Sequence, residues 1–91
     1  MKQRLQVTFH GQVQGVGFRY TAYHTAQRYG LTGWVCNEYD GSVTAQVQGK
    51  REEIEAWMDS LQNDRYIRIE WVDRQTLDVD EEERSFRVRS Y

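Results

Sequence analysis

The sequence predicts an α+β fold: a split β-α-β sandwich in the order βαββαβ, with an antiparallel sheet and two helices on one face. Apolar residues recur with period two in several short stretches and with helical spacing in two others. Each helical stretch follows one strand and precedes the next. Right-handed crossovers then put both helices on the same side of the sheet. With 91 residues the chain makes a single domain over 1–91. A chain of this size buries roughly 60–65% of the surface its unfolded form exposes, enough for one modest core.

The first strand is carried by Leu5, Val7 and Phe9, alternating with Arg4, Gln6 and Thr8 and ending at Gly11. Gly11-Gln-Val-Gln-Gly-Val-Gly-Phe-Arg19 follows, with three glycines in its first seven positions. It reads as a loop whose backbone needs unusual dihedrals or approaches something closely. From Phe18 the period becomes helical. Phe18, Ala22, Thr25, Ala26 and Tyr29 share one face, Tyr20, His24, Gln27 and Arg28 the other, and Gly30 stops the helix. In the second strand, Leu31, Gly33 and Val35 alternate with Trp34 and Cys36. Glu38-Tyr-Asp-Gly41 is a turn, and Val43, Ala45 and Val47 make the third strand, a hairpin partner of the second. Gly49 breaks that strand. Ile54, Trp57, Met58 and Leu61 are spaced as one face of a second helix, with Glu52 and Glu53 in its first turn, where the helix dipole favours them. Ile67, Ile69 and Trp71 alternate until Val72 breaks the rhythm, which predicts a fourth strand with a bulge. Five acids in Asp78–Glu83 predict a solvated turn, and Phe86 and Val88 a short last strand.

Composition excludes several classes. Hydrophobic residues at 38% and charged residues at 29% describe a globular chain, not a disordered one. No stretch approaches the ~18 apolar residues of a membrane helix, and the first residues have no apolar core of a secretory signal. The lone Cys36 cannot form an internal disulfide or a paired-cysteine site. The expectation is a cytoplasmic monomer that engages no membrane. A net charge of −2 argues against a general nucleic-acid binder. The charge is uneven, however. Residues 1–50 carry five basic and two acidic side chains, and residues 51–91 seven arginines and twelve acids. An anion therefore fits the first half better.

The loop before the first helix is the informative place. Its glycines allow successive backbone N–H groups to converge as a nest. It leads into a helix N-terminus, whose free N–H groups and positive dipole end favour an anion. It also carries Arg19, a planar cation suited to phosphate or carboxylate oxygens. The plainer alternative is a tight turn with a surface arginine. Better-known motifs fail here. Gly15-Val-Gly17-Phe-Arg-Tyr20 lacks the third glycine of a dinucleotide fingerprint, and no Gly-Lys-Ser/Thr occurs. Only Gly15, Gly17 and Phe18 match an RNA-recognition signature, and they precede a helix instead of lying on a strand.

Gly11-Gln-Val-Gln-Gly-Val-Gly-Phe-Arg19 resembles the first signature of the acylphosphatase family. Gly33-Trp-Val-Cys-Asn37, then Gly41-Ser-Val43, then Gly49 resembles its second, and Phe86-Arg-Val-Arg89 its last strand. Cys36 departs from the residues usual before Asn37; it should point away from the Asn37 face and bear on packing or oxidation. The resemblance implies a ferredoxin-like fold and hydrolysis of the carboxyl-phosphate bond of an acyl phosphate, a small-molecule substrate. It implies that Arg19 holds the phosphoryl group together with the backbone of Gln14, Gly15, Val16, Gly17 and Phe18. It implies that Asn37 positions the attacking water, and that neither a metal nor another cofactor takes part. In some relatives the terminal carboxylate approaches the arginine, which here would bring Tyr91 to Arg19.

An amide side chain hydrogen-bonds a water but cannot take its proton at neutral pH. Asn37 is therefore read as orienting water, not as a base. Two other readings stand behind hydrolysis of acyl phosphates in general: a phosphate- or anion-binding module without turnover, and hydrolysis of carbamoyl phosphate. Remaining candidates are read plainly. His10 is a strand-end residue near the loop, and His24 lies on a polar helix face. Neither has the partners a metal site needs. Cys36 lacks a histidine partner that would make it a nucleophile. Ser42 has no triad around it, and Trp34 and Trp57 are packing residues.

Overall fold

The computed structural model describes residues 1–90. Its elements are β1 (Lys2–Gln12), α1 (Phe18–Arg28), β2 (Thr32–Asn37), β3 (Val43–Lys50), α2 (Arg51–Gln62), β4 (Arg68–Leu77) and β5 (Phe86–Arg89). The expected βαββαβ order holds over the first six, and the short last strand follows as a fifth. Strands lie in the order β4-β1-β3-β2-β5. All neighbours are antiparallel except β2 and β5, which run parallel from Gly33↔Phe86 to Cys36↔Arg89. The expected antiparallel sheet holds for β1 to β4, and β5 is added in parallel at one edge. The reason is where the chain must travel. β4 and β5 occupy opposite edges, and β4 ends at the same end of the sheet where β5 begins. Four inter-strand steps of about 4.8 Å make roughly 19 Å. The segment 78–85, at up to about 3.3 Å per residue, spans that easily.

One face of the sheet forms the core. Val7 and Phe9 of β1, Val35 of β2 and Val43, Ala45 and Val47 of β3 are fully buried against the helices. The Phe9 ring meets Phe18 of α1 at 4.9 Å and Trp57 of α2 at 5.9 Å, so both helices cover the same face. The Trp57 indole N–H donates to the Ala22 carbonyl at 2.9 Å, satisfying the one polar atom of that ring in the core.

Boundaries differ from expectation where polarity hid a strand. β1 continues past Gly11, and β4 runs on through Asp73–Leu77, whose largely exposed side chains give no core stripe. The bulge of β4 is two residues earlier than expected: His10 pairs with Trp71 and Gly11 with Ile69, leaving Glu70 extra. β3 passes through Gly49 to Lys50 before α2 begins.

The acidic segment is not simply solvated. Glu83 accepts both Arg4 guanidinium Nη groups, at 2.7 and 3.1 Å, and the Thr32 hydroxyl at 2.7 Å. Arg4 also donates to Gln46 and Gln48. Gln48 in turn donates to the Asp80 carbonyl and accepts the Asp80 N–H. Arg4 is 6% exposed, so the segment 78–85 seals a charged network against the face of the sheet opposite the helices.

Candidate active site

The pairing directions bring the C-terminal ends of β1, β2 and β5 to one end of the sheet. There the loop after β1 turns into α1. Gly15 and Gly17 have φ near +75°, a left-handed conformation that costs a side-chain-bearing residue energy. Gly17 is the N-cap of α1 and brings no side-chain cap. Among the described residues, the N–H groups of residues 15–20 find no acceptor, the first being that of Thr21, which donates to the Gly17 carbonyl. The uncapped N-terminus of α1 carries the positive end of the helix dipole.

Beside it lies a cleft of about 230 Å³ lined by Val13, Gln14, Gly15, Gly17, Phe18, Arg19, Tyr20 and Asn37. The loop, Arg19 and Asn37 of the sequence reading thus meet at one site. Val16 does not line it and packs against the core. Arg19 donates through Nη1 to the Arg89 carbonyl at 3.1 Å, which ties it to the end of β5. The expected approach of the Tyr91 carboxylate lies outside the described residues. Asn37, half-buried, ends β2 opposite Val43. Tyr20, which sequence reasoning assigned only to a polar helix face, lines the cleft while 69% exposed, and its ring lies 4.2 Å from that of His24. Its place directly after Arg19 was the available signal.

Next to the cleft, the Gln14 amide donates to the carbonyls of Glu38 and Ser42 at 2.7 and 2.8 Å. Within that turn, the Ser42 hydroxyl and N–H donate to Asp40 Oδ1 at 2.6 and 3.0 Å. The hydroxyl bond, then the backbone bond, with a small contribution from His10, holds the exposed Asp40 carboxyl below its ordinary value. His10 stays outside the cleft; it stacks on Trp71 at 4.4 Å and contacts Asp73 Oδ2 at 2.9 Å. Cys36 turns away from Asn37's face, its thiol donating to the Asn37 and Ser90 carbonyls. Larger hollows occur, of about 450 Å³ bounded by Tyr66 and Arg68, about 360 Å³ bounded by Arg51 and Arg74, and about 320 Å³ bounded by Trp34 and Arg87. None is lined by residues 13–20, the turn into α1.

Fold and cleft together define a small α+β protein with an uncapped helix start and a guanidinium lining one cleft at the end of its sheet, features suited to an oxyanion. The acylphosphatase family model matches residues 5–88, and the chain belongs to that family. It is 36% identical to an acylphosphatase of Geobacillus kaustophilus over 94% of this chain and 93% of that one. The crystal structure of acylphosphatase from Bacillus subtilis superimposes with a TM-score of 0.88 at 26% identity, covering 98% of this chain and 99% of that one. Full-length HypF in its phosphate- and nucleotide-bound form superimposes with a TM-score of 0.85 at 27% identity, over 99% of this chain but 12% of HypF.

Proposed function

We propose that this chain, as one acylphosphatase-like domain over 1–91, hydrolyses acyl phosphates to carboxylate and phosphate. The observation that carries the reading is the shared lining of one cleft by Arg19, the glycine loop and Asn37 in a member of this family.

The phosphoryl group sits on the N–H groups at the start of α1, with Arg19 against its oxygens. In phosphoryl transfer, charge spreads over the equatorial oxygens, so positioning and electrostatic stabilisation are the protein's main tasks. The Asn37 amide orients a water for in-line attack on phosphorus. As the water attacks, a phosphoryl oxygen accepts its proton. The bond to the acyl oxygen breaks, and its electron pair leaves with a carboxylate. A carboxylate, whose conjugate acid has a pKa of ~4, is a good leaving group at neutral pH. It needs no protonation, so the mechanism assigns no general acid and no side-chain base. The substrate is a small acyl phosphate, and the enzyme acts as a monomer in the cytoplasm, with neither metal nor cofactor in its mechanism.

The deciding experiment is steady-state hydrolysis of benzoyl phosphate, with chelator present, by the wild type and Arg19→Ala. Turnover by the wild type that falls at least a hundredfold in the variant is expected. A folded wild type without turnover would replace the enzyme reading by an anion-binding module, to be tested next by phosphate affinity.

A further inference from the structure

Gly15 and Gly17, both at positive φ, bring no side chain to fix the loop before α1, and Val13 and Val16 have no polar side chain to anchor it. Gln14 is the one residue from Val13 to Gly17 whose side chain can hydrogen-bond. Its NH₂ group spends both hydrogens on carbonyls of the β2–β3 turn, Glu38 at 2.7 Å and Ser42 at 2.8 Å, in a part-buried setting. Those acceptors already brace the turn. The Ser42 carbonyl takes the Glu38 N–H at 2.9 Å, and the Glu38 carbonyl takes the Gly41 N–H at 3.2 Å. Glu38 directly follows Asn37. A single amide therefore links the donor loop to the backbone that carries Asn37.

We infer that Gln14 is a positioning residue: its side-chain amide clamps the β1–α1 loop to the β2–β3 turn and so sets the spacing between bound phosphoryl group and Asn37-held water. This rests on the functional reading above and adds a role for the Gln14 side chain, as distinct from its backbone. Only a double donor fits. A glutamate there would set acceptor-only oxygens against two carbonyl oxygens, and an alanine would leave both carbonyls without this partner.

The test combines Gln14→Ala and Gln14→Glu with the wild-type and Asn37→Ala backgrounds, all assayed well below each variant's unfolding temperature. Acyl phosphate turnover and inhibition by inorganic phosphate are measured. Expected is a loss in kcat of tenfold or more in the wild-type background, with the inhibition constant changed less than threefold. In the Asn37→Ala background the same substitutions should cost less than threefold, because the residue they position is gone. Equal fractional losses in both backgrounds, or kcat within threefold of wild type, would overturn the inference and leave a purely structural hydrogen bond. NMR of the free protein separates this from failure of the functional reading. Gln14→Glu should shift the Asn37 side-chain amide signals whether or not the wild type turns over. Unmoved signals would refute the clamp by themselves.

Discussion

Asn37 ends β2 at the rim of the cleft, within a backbone ladder that survives loss of its side chain. Under the proposed mechanism, Asn37→Ala should therefore remove a hydrogen-bond partner of the attacking water without unfolding the sheet. A drop in kcat of at least tenfold with KM little changed is expected in steady-state assays, and a smaller drop would end the water-orienting role. Asp40 makes a different prediction. Its carboxyl is held low by Ser42, so its contribution to stability is present above the ordinary value of about 3.9 and is lost as pH falls through the lower folded value. Carboxyl carbon NMR should give Asp40 a midpoint below that of an ordinary aspartate, and Ser42→Ala should raise it. Arg19 could be singled out in the sequence because a glycine-rich loop running into a helix start is a pattern of residue types, whereas Asn37 came forward only through the resemblance to the acylphosphatase signatures; both line the cleft. The cleft-lining Tyr20 and the doubly bonded Gln14 amide were not legible, because periodicity assigns a face and not a hydrogen-bond partner.

The start of α1 shows what an element contributes. The helix is positioned by burial of Phe18, Ala22, Thr25 and Ala26, yet its first turn is uncapped by any side chain because Gly17 stands at the N-cap. A serine or aspartate there would satisfy the N–H groups locally and compete with a bound anion. Gly17→Ala should destabilise the protein by about 1–2 kcal/mol, the cost of a left-handed conformation for a residue with a Cβ. Urea denaturation measures this, and phosphate inhibition should weaken alongside. The helices were legible from their spacing, and α2 most clearly from Ile54, Trp57, Met58 and Leu61. Strand ends were less so. Asp73–Thr76 pair fully with β1 while keeping largely exposed side chains, so hydropathy alone could not reveal them.

Across the whole molecule, the parallel seating of β5 was the least legible feature, because it depends on which edge a distant segment reaches. The same crossing buries Glu83 against Arg4, where charge counting alone suggested solvent. With side chains 7% and 10% exposed, this pair is shielded from water. Removing one partner leaves an uncompensated buried charge, and Glu83→Ala should cost about 3–5 kcal/mol. The double variant Arg4→Met with Glu83→Leu should recover most of that loss in thermal unfolding, since an apolar pair of similar volume needs no ionic partner. The contact from Arg19 to the Arg89 carbonyl has a further consequence for how the protein is made. It joins residues 70 apart in sequence. A nascent chain emerging from the ribosome can form the β2–β3 hairpin and α1 early, but its arginine stays untethered until Arg89 has cleared the exit tunnel. Fragments released before that point would carry the glycine loop, Arg19 and Asn37 without the β5 carbonyl that accepts from the guanidinium, so completion of the cleft waits for synthesis of β5.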